Sequence, residues 1–296
     1  MLMNPAMKTA NVPGPGGVSL DHTGHFVASA EAAREALEGL GFTVTPYSAQ
    51  VQPDPETGQE RLTGTGNVCV MLPAGYLECL VHTADTPIGR EFLAALDRRP
   101  GLHLAAFGVA DAAARHAELM TAGIPMRPLV RFSRQVETAD GHETAAFTVA
   151  RLAADSMQEG RVQILTQHSE GALWQPRWTR HANGAQALQA LLVSAPDPAE
   201  AAARFGRLLD RDAVPFGAGL RIALDRGAVE FLPEDAATDL VGAAVELGRS
   251  CFIGIRIGVA DVSVFRERPG AKAFGDAIAL PFHPALGRGV WLFENA

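Results

Sequence analysis

The sequence predicts an α+β fold in which a strand–helix–three-strand (βαβββ) unit occurs four times, the units pairing into two curled half-barrel domains. Three observations predict it. The first is repetition. FVASAEAAREALEGLGF, from Phe26, recurs as FGVADAAARHAELMTAGI from Phe107, with Val27 on Val109, Ser29 on Asp111, Leu37 on Leu119 and Gly41-Phe42 on Gly123-Ile124. A third copy, LVSAPDPAEAAARFGRLLD, sets Ser29 on Asp197 and Leu37 on Phe205; in a fourth, FIGIRIGVADVSVFRERPG, the helix is cut short near Pro269-Gly270. The second is that these copies join an apolar strand to a helix with Ser or Asp near its start, where a side-chain oxygen caps free amides. The third is that strand-like segments follow every copy. They are GFTVTPYSA, NVCVMLPAG and YLECLV after the first, and MRPLVRFSRQVE, ETAAFTVARLA and RVQILTQH after the second. Only LRIALDRG and AVEFLPE follow the third, and AFGDAIALPF and GVWLFEN the fourth, so the C-terminal units are abbreviated. A single curled half-sheet leaves its concave face uncovered, which is why units pair.

The 296 residues divide accordingly. Residues 1–17, rich in Pro and Gly, read as a flexible leader; 18–170 hold units one and two; 171–186 are a connector; 187–296 hold units three and four. An apolar fraction of 47% with 20% charge describes a soluble globular protein with a sizeable core. A net charge of -8 without any Lys/Arg-rich run argues against a nucleic-acid partner. No apolar run reaches the roughly 18 residues of a membrane span, and the leader lacks the pattern of a signal peptide. Cys69, Cys79 and Cys251 are too few and too scattered for a disulfide framework. The expectation is a cytoplasmic protein; a homodimer, with units pairing within one chain or between two, stays open.

Several stretches carry a family likeness: Asp21-His22 on the first strand, LGFTVTP, GTGN at Gly64 to Asn67, GYLECL at Gly75 to Leu80, RFSRQV from Arg131, and TQHSEGALWQPRWTRHANGA from Thr166. In these the chain resembles the vicinal-oxygen-chelate (glyoxalase/bleomycin resistance/dioxygenase) superfamily and, within it, the glyoxalase-like domain proteins. The resemblance implies paired βαβββ modules around a cup that binds a divalent metal, Zn, Ni, Mn or Fe, and through it a small oxygenated ligand. It takes a His from the first strand and a Glu from the last strand of each module as metal ligands, and His22 and Glu78 match those positions. An imidazole and a carboxylate suit such a metal and leave positions open for substrate oxygens. The other positions depart from the pattern. Leu104 stands at the second first-strand position, Ile164 or Gln163 opposite Glu78, and Ala190 and Gly254 in units three and four.

His168 is a candidate replacement ligand or acid–base group, or else a hydrogen-bonding residue of the connector. Glu78 and His168 are thus the candidate catalytic residues, and His22, Glu78 and His168 the candidate metal ligands. Arg134 would orient an acid group on the ligand. Trp174 and Trp178, four apart, read as hydrophobic anchors of the connector, with Trp174 also a candidate for ligand contact. His25, of opposite parity to His22, reads as structural. PGPGG is no phosphate loop, since no strand precedes it and no helix or Lys follows. Two functions from different classes remain: a metal-dependent lyase or isomerase acting on a small oxygenated metabolite, and a non-catalytic small-molecule binder. An extradiol dioxygenase would place iron in the C-terminal pair, where His283 is the only histidine.

Overall fold

The computed structural model describes residues 11–54, 57–139, 141–154 and 156–296. Unit one comprises β1 (Val18–Phe26), α1 (Ala30–Gly39), β2 (Ser48–Pro53), β3 (Glu60–Met71) and β4 (Tyr76–His82), and α2 (Pro87–Arg98) leads out of it. Unit two comprises β5 (Gly101–Val109), α3 (Ala112–Thr121), β6 (Val130–Thr138), β7 (Gly141–Arg151) and β8 (Arg161–Gln167), followed by the single turn α4 (Glu170–Leu173). Unit three comprises β9 (Ala185–Ala195), α5 (Pro198–Leu209), β10 (Ala213–Phe216), β11 (Gly219–Ala223) and β12 (Ala228–Pro233), and then α6 (Glu234–Val241). Unit four has β13 (Cys251–Val259), a 3-10 turn at Val262–Phe265, β14 (Lys272–Phe274), β15 (Ala277–Pro281) and β16 (Val290–Asn295).

These strands form two eight-stranded sheets, ordered β2-β3-β4-β1-β5-β8-β7-β6 and β10-β11-β12-β9-β13-β16-β15-β14. In each, the first strands of two units meet antiparallel at the centre, β1 on β5 and β9 on β13, with the last strand of each unit parallel beside its first. The repeat is therefore a structural one. Its capping position is occupied as expected: Ser29 accepts from the Ala32 amide, Asp111 from Ala113 and Ala114, Asp197 from Ala199 and Glu200, and Asp261 from Ser263.

Three features depart from the sequence reading. GFTVTPYSA is not a strand until Ser48; Phe42 and Val44 are buried in alternation, yet they pin a loop whose Thr45 N–H donates to Cys69 O at 2.8 Å. α2 and α6 stand where no helix was expected, and each packs on the concave side of its sheet, Phe92 against Phe26 and Ala237 beside Leu192. The described part of the leader is fixed: Asn11 is buried, its amide N–H donates to Glu170, and its side chain bridges Pro73 O and the Gly75 amide. Residues 1–10 lie outside the described residues.

The largest apolar core lies between the sheets and draws on both, with Phe107 edge-on to Phe205 and Phe42 tilted against Trp291. Separate apolar clusters line the two concave faces, so the cups open away from the shared core. No helix among the described residues is long and apolar enough to cross a membrane.

His25 confirms its assigned parity. It is buried on the core side of β1, edge-on to Phe282 at 5.0 Å, and neither ring nitrogen has a hydrogen-bond partner among the described residues. Burial, then the Arg99 charge, pushes it down to about 3; the same two causes push His103 down to about 3. Both folded values lie below the unfolded value of about 6.5, so the unfolded chain takes up these protons first as pH falls. Stability is then full above about pH 6.5 and falls below it by about 1.4 kcal/mol per pH unit for each histidine. Urea titrations between about pH 6.5 and pH 5, above the range where carboxylates dominate, read this slope. His181, which burial also lowers, adds to this slope, so His25→Leu is expected to remove less than half of it; an unchanged slope would show that His25 is not among its sources.

Candidate functional site

The concave face of the first sheet encloses a cavity of ≈ 160 Å³. β1 contributes His22 to its lining, β4 contributes Tyr76 and Glu78, β3 Thr65 and Asn67, and β2 Gln50. From the second unit come Leu104, Phe147, Val149, Arg151, Arg161, Gln163 and Leu165. One half of the cup is thus polar around His22 and Glu78. The other is apolar with two guanidinium groups and an amide.

His22 is set by its own strand. The β1–β5 pairing shifts register between Leu20 and His22, a bulge that brings Asp21 and His22 within reach of each other. Asp21 Oδ1 lies 2.7 Å from His22 Nδ1 and also 3.4 Å from the Gln167 amide nitrogen. A carboxylate oxygen accepts, so Nδ1 carries a proton, and in the neutral ring Nε2 is the nitrogen with the lone pair. That Nε2 faces Glu78 Oε2 at 3.9 Å. Tyr76 stacks on the imidazole with ring centroids 4.2 Å apart, and Trp174 meets Tyr76 edge-on. Glu78 is fixed from the opposite side: its Oε1 accepts from Asn67 Nδ2 and from Gln50 Nε2 at 3.2 Å, and Thr65 Oγ1 donates to Gln50 Oε1. Oε2 is left facing the imidazole.

Strand register settles which residues correspond across the four units. Glu78 pairs with Gly24 on β1, and the same place in unit two, opposite Ala106, is Gln163 rather than Ile164. In unit three it is Glu230, opposite Leu192, and in unit four Leu292, opposite Arg256. Glu230 is a site-position acid that the sequence reading passed over. It is not available: Arg256 bonds it at 2.9 Å and 3.2 Å and also holds Glu294 at 2.8 Å, with all three on the inner face of the second sheet. Burial pulls Arg256 down, but the hydrogen bond and charge of Glu230 outweigh that and raise it above its ordinary value. The second cup is neutralised from within.

The expected residues fall into three groups. His22 and Glu78 meet in the cup. His168 does not join them: it lies just past β8, exposed, with Nε2 2.8 Å from Thr148 Oγ1, because Gln163 rather than Ile164 faces the cup and the parity is reversed. Trp174 contributes behind Tyr76 rather than in the lining, its Nε1 buried without a partner among the described residues. Arg134 lies on β6, and its side chain is outside the described residues. The sequence reading missed Arg151, Arg161, Asn67 and Gln50. Alternation counted outward from Gln163 would have found Arg161, two residues earlier on the same face.

A divalent metal, which the resemblance implies, needs donors that converge. Among the described residues no three of His, Cys, Asp and Glu converge on one point. What the cup offers is an imidazole nitrogen, a carboxylate oxygen 3.9 Å from it, and the Gln163 amide in the matching position across the seam. Leu104 removes the fourth place. Such a set fits an oxygen-tolerant divalent cation that keeps several positions for other ligands. Cys79, beside Glu78, is no nucleophile: burial, then the Glu78 charge, pushes its thiol up to about 12.

Two curled sheets of paired βαβββ modules, one with a His–Glu cup, define the class as vicinal-oxygen-chelate. The glyoxalase-like domain family matches residues 20–209, and the chain belongs to that family. Solved structures share the fold at low identity. A hypothetical protein from Staphylococcus aureus is 10% identical with a TM-score of 0.66, covering 94% of this chain and 100% of that one. A mutant 4-hydroxymandelate synthase from Streptomyces coelicolor is 12% identical (TM-score 0.54; 95% and 93% covered). A Mn(II)-bound glyoxalase from Novosphingobium aromaticivorans is 11% identical (TM-score 0.53; 93% and 81% covered). Among curated proteins none matches by sequence.

The neutralised second cup has a measurable signature. Arg256→Met leaves the buried Glu230 with only the longer ion pair to Arg221 at 3.5 Å and is expected to destabilise the fold by about 3 kcal/mol. Adding Glu230→Leu should recover most of that loss in denaturant titrations. A double variant no more stable than Arg256→Met would show that Glu230 is not held by this pair.

Proposed function

We propose that the protein binds a small oxygenated metabolite in the cup of its first sheet and acts on it as a divalent-metal-dependent lyase or isomerase. The observation that carries this reading is the line from Asp21 through His22 to Glu78. The buried Asp21 carboxylate orders the tautomer of a histidine whose Nε2 points at a carboxylate held by two amides. A satisfied structural histidine would spend both nitrogens on the fold. His22 spends one.

In this reading His22 Nε2, Glu78 and the Gln163 amide oxygen hold the cation. The cation supplies Lewis-acid stabilisation of negative charge developing on a substrate oxygen. The residues do the rest. Asn67 and Gln50 fix Glu78 so that Oε2, free of those anchors, is the oxygen placed to receive a substrate proton. Tyr76 holds the imidazole plane, and Leu104, Phe147, Val149 and Leu165 keep water from the reacting end. The Mn(II)-bound glyoxalase with this fold lends the metal reading support. A second reading, a cup that sequesters its ligand without chemistry, draws on Leu104, which takes the place of a fourth donor.

Elemental mass spectrometry on untagged protein, after loading with Mn(II) or Zn(II) and gel filtration, separates the two. Stoichiometric metal is expected in the wild type and its loss in His22→Ala and Glu78→Gln. Asp21→Asn should weaken uptake by about 10- to 100-fold, the usual effect of removing the partner that orients a ligating histidine. A metal-free wild type, or a His22→Ala that loads as well as the wild type, would leave the sequestering cup as the function.

A further inference from the structure

We propose that Arg151 and Arg161 form an anion subsite in the cup, and that the protein's ligand is a small organic acid whose carboxylate docks on these two guanidinium groups. The inference rests on the reading of this cup as the ligand site and names the class of molecule that enters it; it holds for either catalysis or sequestration.

Register places the two arginines together. Arg161 opens β8 two residues before Gln163, so both face the cup, and Arg151 ends β7 directly opposite Gln163. Arg161 pairs with Leu104 as Tyr76 pairs with His22, so it is the unit-two counterpart of the tyrosine under the histidine. Both arginines also line a neighbouring cavity of ≈ 280 Å³ beside α2.

Neither guanidinium makes a hydrogen bond or ion pair with any described residue. The Arg151 Nε is buried without a partner, and Arg161 rests on the Phe26 ring at 5.4 Å. The acid in the adjoining cavity, Glu91, is already bonded by Arg127 at 3.0 Å. Other deeply set arginines of this fold have polar partners: Arg204 has Glu159 at 2.8 Å, Arg256 has Glu230 at 2.9 Å and Arg99 has Glu246 at 3.0 Å, while Arg226 donates to the Leu20 and Asn11 carbonyls and the Ser19 hydroxyl. Two adjacent unmatched cations therefore stand out as a departure from the chain's own pattern. Burial, then the charge of Arg151, pushes Arg161 down to about 10; burial, then Arg127, lowers Arg151. A carboxylate between them supplies the missing counter-charge, and the guanidinium fork is built to accept it bidentately.

The cavity sets the size. At ≈ 160 Å³ it is close to the roughly 150 Å³ cavity that holds benzene. That matches the bulk of a short acid. Leu104, Phe147, Val149 and Leu165 supply an apolar wall for its carbon skeleton.

The test compares an acid with its neutral isostere of the same shape. Benzoate against benzamide, and 2-hydroxybutyrate against 2-hydroxybutyramide, are titrated by calorimetry or ligand-observed NMR, on metal-stripped and Mn(II)-loaded protein. Wild type is expected to prefer the acids by about 10- to 100-fold, the worth of a hydrogen-bonded charge pair. Arg161→Gln and Arg151→Gln should each erase most of that preference while leaving metal uptake intact. Their melting temperatures should stay level or rise, since each removes a half-buried cation with no acid partner among the described residues. Wild type that binds acid and amide alike, or binds neither, overturns the proposal, as does an Arg161→Gln variant that keeps the preference. Loss of metal binding with acid preference intact overturns only the metal reading.

Discussion

The antiparallel seam between β1 and β5 is the constraint on which the site depends. It sets His22 opposite Ala106 and Gly24 opposite Leu104, and each neighbouring strand inherits its position from that register. Gly24 is required there: a Cβ at this position would lie 2.9 Å from Leu104 Cβ and 3.1 Å from a Leu80 methyl. A side chain would push the seam apart and separate His22 from the residues that complete the cup. With the seam closed, the parallel strand β4 lays Glu78 beside Gly24, and β8 lays Gln163 beside Ala106. Four positions in two rows thus converge because two strands meet in one register. The bulge before His22 adds the remaining element, a carboxylate behind the imidazole.

The same rows recur in the second sheet, and comparing them shows how differently the two cups are filled. Units one to four carry His22 and Glu78, Leu104 and Gln163, Ala190 and Glu230, Gly254 and Leu292. At the place that Ala106 holds in the first sheet the second carries Arg256, which closes on Glu230. A buried carboxylate must be matched or moved out of water's reach at a cost of several kcal/mol, and the second sheet matches it internally. In the first sheet Glu78 is met only by neutral amides and an imidazole, while two cations on the far side go unmatched. Polar groups that the fold leaves incomplete are those with room for a ligand. The second sheet contributes instead to the shared core, where Phe205 and Trp291 pack on Phe107 and Phe42.

Much of this was legible in the sequence because it is local or periodic. The repeat, its capping residues and the His22–Glu78 pair follow from spacing and from the likeness carried by a few short stretches. The rest turned on single-residue register or on tertiary packing. Whether Gln163 or Ile164 faces the cup is a shift of one position, and that shift also decides His168, which was a candidate for the cup or for hydrogen-bonding the connector and lies exposed on Thr148. Glu230 was hidden because unit three is abbreviated and its last strand has no motif of its own. α2 and α6 follow strands directly and carry no repeat signal; what holds them is the apolar lining of each cup, which sequence alone does not reveal. Phe42 and Val44 alternate as a strand would, yet their burial pins a loop.

An asymmetry inside the first cup ties these points together. The two modules that build it are copies, and a symmetric cup would present the same groups from both sides. Instead unit one supplies hydrogen-bonded, oriented groups, with His22 fixed by Asp21 and Glu78 by Asn67 and Gln50, whereas unit two supplies Gln163 and two arginines without partners. Orientation is what proton transfer and ligation need, because both depend on placement within a fraction of an ångström. Net charge without a fixed partner is what recognition of an anion needs, because the ligand brings the partner. On the proposed reading, a small molecule held by the second half would be presented across the seam to the first. On the same reading, Leu104 at a ligand position would offer apolar contact in place of coordination.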